Sequence, residues 1–115
     1  MKHIIKLLFI VSAVIIGGVL LPGVSIEHFS DAIITAVIIA LLNYFIKPII
    51  VFVTLPVTVF TFGFFLLVIN TLIIMLTDLL AKGFAVKSFW WALFFSIIVS
   101  LVTSLYDRLE GSEAD

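Results

Sequence analysis

Four long apolar stretches, separated by short polar or proline- and glycine-containing breaks, run through this chain. The first covers residues 4–21 and stops at Pro22-Gly23. The second begins near Asp31, with Ser30 placed as its N-cap, and the third covers 57–80, with Gly83 placed to cap its C-terminus. The fourth covers 89–106. Each is close to the roughly 20 residues that a helix needs to cross the hydrocarbon of a bilayer. The pattern predicts an all-α membrane protein with four transmembrane helices. Residues 47–56 are apolar but too short to span alone. Proline is tolerated in a membrane helix where neighbours satisfy the freed carbonyl, so the second span is expected over 31–54, kinked at Pro48, with Leu55-Pro56 making the turn. A polar tail, 107–115, is expected in solvent.

The two halves echo each other. Gly23-Val24-Ser25-Ile26-Glu27-His28-Phe29 and Gly83-Phe84-Ala85-Val86-Lys87-Ser88-Phe89 stand sixty positions apart (83 − 23 = 60). Phe29/Phe89, Ala32/Ala92, Ile38/Ile98 and Leu41/Leu101 agree at the same offset. This predicts two tandem helical hairpins inserted in the same sense, related by a pseudo-twofold axis along the membrane normal.

Composition agrees with the pattern: 64% of the 115 residues are hydrophobic and 11% charged, against roughly 25% charged in soluble proteins. The length suits a single integral membrane domain, 1–115. A net charge of −1, with scattered basic residues, gives no surface for nucleic acid. The absence of cysteine excludes disulfides, thiolate catalysis and cysteine-based metal sites. Small residues before a signal-cleavage point are confined to Gly23-Val24-Ser25, so an uncleaved first span is expected. Lys2 and Lys6 are expected to snorkel to the headgroups. With Lys2, Lys6, Lys47 and Arg108 on one side and Lys82 and Lys87 on the other, the positive-inside rule puts both termini in the cytoplasm. Trp90, Trp91 and Tyr106 fall where an interfacial aromatic belt would sit.

Hydrocarbon gives helices little hydrophobic drive to associate, so packing depends on small residues and on polar side chains that bond across. Ala32, Ala36 and Ala40 on the second helix, and Ala92, Ser96, Ser100 and Ser104 on the fourth, form such seams. A serine-lined polar pathway is the functional alternative. Asn43 and Asn70 must face protein, and about a Leu55-Pro56 turn they lie about 3 Å apart in depth. They are expected to clamp the helices by a mutual hydrogen bond, with a ligand or ion site as the alternative. Gly63, Asn70 and Thr77 share a face of the third helix, and Asp78 stands four residues before Lys82, the order of a local ion pair. Lys47 beside Pro48 reads as a snorkelling helix end or a contact for anionic lipid. Glu27, His28 and Asp31 offer polar atoms, but neither a spaced histidine pair nor a cysteine supports a metal centre. No catalytic constellation, cofactor motif or metal site is expected, and the chain reads as a non-enzyme.

Leu42-Asn43, Ile46-Lys47-Pro48-Ile49, Thr54-Leu55-Pro56, Thr61-Phe62-Gly63 and Val68-Ile69-Asn70 together resemble phage holin family 4, the four-span holins of superfamily IV, over residues 24–105. The resemblance implies a multi-pass protein of the bacterial inner membrane. It also implies holin activity, the assembly of copies into membrane lesions that release a lytic enzyme. The acidic tail departs from the basic cytoplasmic end of typical holins. The expected function is thus a holin-like, self-associating protein of the cell envelope whose partners are lipids and further copies of itself. The alternatives are a small channel or transporter subunit with a polar path at Asn43 and Asn70, and a structural accessory of a larger membrane complex.

Overall fold

The computed structural model describes the backbone of residues 2–114 and the side chains of residues 4–109. Expectations for the side chain of Lys2 and for the polar side chains beyond Leu109 fall outside that range. The chain runs α1 (Lys2–Leu20), β1 (Val24–Ile26), α2 (Phe29–Phe45), α3 (Lys47–Val53), α4 (Leu55–Phe60), α5 (Phe65–Leu80), β2 (Phe84–Val86) and α6 (Phe89–Ala114).

The first helix stops where Pro22 removes a donor and fixes the backbone, and Val24 N–H turns back to Leu21 C=O at 3.1 Å. The second helix starts at Phe29, with His28 in extended conformation at the N-cap and no side-chain cap bond, so Ser30 is not the cap. Between α2 and α3 the hydrogen-bond ladder continues through Ile46, whose N–H reaches Leu42 C=O at 2.9 Å and whose C=O accepts from Ile50 at 3.1 Å. Pro48 lies in the first turn of α3 and Pro56 in that of α4, where a missing N–H costs nothing and φ is already helical.

The turn expected at Leu55-Pro56 is therefore displaced, and the reversal comes at residues 61–64. Gly63 N–H donates to Thr58 C=O at 2.8 Å and Phe62 N–H to Val59 C=O at 3.1 Å, the paired bonds of a Schellman cap. Phe62 itself occupies the left-handed position, at φ 56°, which costs a residue with a Cβ about 1–2 kcal/mol. Gly63, at φ 90°, sits in this turn and not on the face of α5. At the other end of the chain, α6 runs past Tyr106 through the Asp107-Arg108-Leu109-Glu110 stretch, which contains no helix breaker.

The stretches after Gly23 and Gly83, expected as plain loops, pair with each other. β1 and β2 form an antiparallel ribbon in the register Val24↔Val86, Ser25↔Ala85, Ile26↔Phe84. Its ends are tied by Glu27 N–H to Gly83 C=O and Lys87 N–H to Gly23 C=O, both 2.9 Å. The central pair, Ser25 and Ala85, are residues sixty apart in sequence. Val24 and Phe84 point inward and are buried.

Four helices form a ring in which α1 and α5 each pack against both α2 and α6, while among the described residues neither diagonal pair brings Cα atoms within 8 Å. The stripes of α2 and α6 turn inward. Ala32, Ala36, Ala92 and Ser96 are buried, Ala40 and Ser100 half-buried, and Ser104 exposed. Phe95 fills the centre, tilted on Phe84 at 5.2 Å between ring centroids, and a Cβ on Gly17 of α1 would stand 2.5 Å from its ring. Tyr106, expected at an interface, is buried against Phe9 in an edge-on pair at 5.3 Å. Phe29–Val53 and Phe89–Leu109 are long and apolar enough to cross a membrane, and Ile4–Leu20 and Phe65–Leu80 are shorter apolar helices.

Candidate functional site

A polar cavity of about 210 Å³ opens in the half of the ring remote from the ribbon, between α2, α5 and α6. Helical spacing builds it. Ile39, Asn43 and Lys47 succeed one another every four residues along α2 into α3 and so share a face. Ser96, Ser100, Thr103 and Asp107 do the same on α6 at intervals of three and four, and α5 supplies Asn70. Ile39 and Val99, Asn43 and Thr103, and Lys47 and Asp107 are all pairs at the sixty-residue offset.

Asn43 and Asn70 are both half-buried on this cavity, and they hydrogen-bond neither each other nor any other described residue. The amide clamp expected from their common depth is not formed, because the gap between the helices here is lined by polar groups and is not closed. Ser96 is satisfied locally, its hydroxyl donating to Leu93 C=O at 2.8 Å. Lys47 and Asp107 line the same space without forming an ion pair. Ala36 and Phe95, which precede Ile39 and Ser96 on the ribbon side, are fully buried. The half-open cavity forms a cup.

The remaining residues singled out in the sequence lie elsewhere. Thr77 is buried in α5 and donates to Ile73 C=O at 2.8 Å. Asp78 forms no ion pair with Lys82. It accepts the Val86 N–H at 3.3 Å, a donor on the outer edge of β2 that the ribbon leaves free. Pro48 and Pro56 shape the connector between α2 and α5 and stay exposed.

Glu27, His28 and Asp31 bring ligand-type atoms within 4.8 Å of one another at the start of α2. This arrangement has a local explanation: Asp31 hydrogen-bonds His28 Nδ1 at 3.2 Å and offers a negative charge to the positive end of the helix dipole. Sequence reasoning missed Thr103 and Asp107, the latter having been assigned to the tail. The sixty-residue offset held the signal, since it carries Asn43 to Thr103 and Lys47 to Asp107.

Residues 1–105 match the family model described as "Mycobacterial 4 TMS phage holin, superfamily IV". The uncharacterized membrane protein YvlD of Bacillus subtilis is 34% identical over 96 residues, covering 83% of this chain and 80% of that protein. The uncharacterized protein SCO3922 of Streptomyces coelicolor is 39% identical over 81 residues, covering 67% of this chain and 65% of that protein. No solved structure matches.

Proposed function

This chain belongs to the four-span phage holins of superfamily IV, and from that membership we propose a small membrane protein of holin type whose copies associate in the bilayer of the cell envelope. In this reading all four long helices cross the membrane, with both termini cytoplasmic. The two hairpins are related by a pseudo-twofold axis along the membrane normal. That axis is supported by the ribbon register, by the ring of helix contacts and by the offset pairs in the cup.

The observation that carries the reading is the apolar outer surface. Leu8, Leu41, Leu79 and Leu101, spread over all four helices, are more than half exposed, which is stable in hydrocarbon and not in water. The connector is barer still: Phe52, Phe60, Phe62 and Phe64 are 71–92% exposed and neither α3 nor α4 buries a residue. Such a connector offers a face to neighbouring copies. The same faces would let copies line a lesion.

The chain contains no cysteine, so Phe60→Cys creates a unique reporter thiol. Oxidation in native membranes is expected to give disulfide-linked dimers of that variant. A thiol that stays monomeric under oxidation, together with a single-copy particle in native lipid, would remove the basis for self-association. Orientation is tested separately by reporter fusions at Met1 and Asp115. Both are expected to report the cytoplasm, and a periplasmic signal at either end would overturn the four-span, termini-inside arrangement.

A further inference from the structure

The cup carries one charge of each sign on opposing helices. Lys47 and Asp107 occupy equivalent positions at the sixty-residue offset, share the cavity and do not pair with each other. The side-chain amides of Asn43 and Asn70 line the same cavity, with donors and acceptors free of other described residues. These polar groups line a half-enclosed space without protein partners, so water or a ligand of matching polarity satisfies them there. Its volume equals about seven water molecules at about 30 Å³ each, enough for a small head group.

We propose that the cup binds a phosphoethanolamine group, as the head of a phosphatidylethanolamine lipid from the leaflet at the terminal end of the bundle. The phosphate oxygens meet the Lys47 ammonium and the side-chain amides of Asn43 and Asn70. The lipid's own ammonium donates to the Asp107 carboxylate. Depth favours a lipid source. Lys47 and Asp107 both lie roughly 27 Å along their helices from the starts at Phe29 and Phe89, nearly the full thickness of the hydrocarbon. The charges therefore stand at headgroup level while Ile73 and Ile74 wall the deeper part. Charge selects among lipids. Phosphatidylglycerol has no cation for Asp107, and the quaternary amine of phosphatidylcholine has no N–H to donate.

The test uses the full chain in mild detergent, with unfolding temperature followed on titration with short-chain phosphatidylethanolamine. That lipid is expected to raise the temperature well beyond the effect of short-chain phosphatidylglycerol or phosphatidylcholine. Lys47→Met and Asp107→Asn should each weaken the response about tenfold, the scale of one charge-assisted hydrogen bond. Lys82→Met, at the exposed far end, should leave it intact. Asp107 is exposed, so its variant keeps the test decisive if Lys47→Met fails to fold. Phosphatidylglycerol or inorganic phosphate acting as well as phosphatidylethanolamine would overturn the zwitterionic assignment. Free phosphoethanolamine acting at equal concentration would overturn the lipid source. No lipid-selective shift in the folded wild-type protein would overturn the site.

Discussion

Replacing Gly83 with valine is expected to destabilise the protein by about 3 kcal/mol, because two independent penalties meet at that position. Gly83 has φ 78°, a conformation that costs a residue with a Cβ about 1–2 kcal/mol. A Cβ built there would also fall onto the Asp31 carboxylate, adding about 1–3 kcal/mol of overpacking unless the first turn of α2 moves. Asp31→Ala separates the two: in that background the steric part disappears and the backbone part remains. Gly23 is a useful comparison. Its φ is not positive, so the backbone penalty is absent, and an added Cβ would fall on the Trp91 ring. Unfolding in detergent reads the difference, and a Gly83→Val protein within about 0.5 kcal/mol of wild type, the ordinary scatter of surface substitutions, would show that this end of the bundle yields freely.

The second large effect is expected at the contact of α1 with α6. Phe95→Ala should cost about 2–3 kcal/mol, chiefly the cavity left behind and the lost dispersion contacts, since a hydrocarbon surrounding removes much of the usual transfer contribution. Gly17→Leu should cost a similar amount for the opposite reason, driving a side chain into the ring that already lies against the glycine. Combined, the two exchange volume across one contact. The double variant should then be more stable than the sum of the single losses predicts by at least about 1 kcal/mol. Strict additivity would mean that Phe95 and Gly17 do not share the space the structure gives them.

The helices were legible because long apolar runs and the Pro22-Gly23 break state themselves locally. The sixty-residue echo was legible too, in Gly23/Gly83 and the residues that follow each. What those loops do was not, since Val24-Ser25-Ile26 and Phe84-Ala85-Val86 are too short to show a strand period and acquire partners only across the whole fold. Pro56 misled for a physical reason. A proline ends one helix and begins another with equal ease, and only the Thr58–Gly63 hydrogen bond shows which happened.

At the cup, helix arithmetic about a Leu55-Pro56 turn put Asn43 and Asn70 at one depth, and both line the cavity although the chain reverses at 61–64. It could not give the width of the gap between α2 and α5, which depends on how every neighbouring side chain packs. Thr103 and Asp107 were hidden by reading Asp107 as tail. Carrying the sixty-residue offset through Asn43 and Lys47 reaches both.

The ribbon also fixes an order of events in time. Synthesis at 5–20 residues per second puts about 3–12 s between the appearance of β1 and that of β2. Once Phe45 has been made the first hairpin is complete in length, yet Glu27 N–H and Gly23 C=O still lack their partners on Gly83 and Lys87. A nascent chain halted between Phe45 and Gly83 holds two finished helices with a raw backbone edge at their junction. The growing protein seals that edge as one of its last acts.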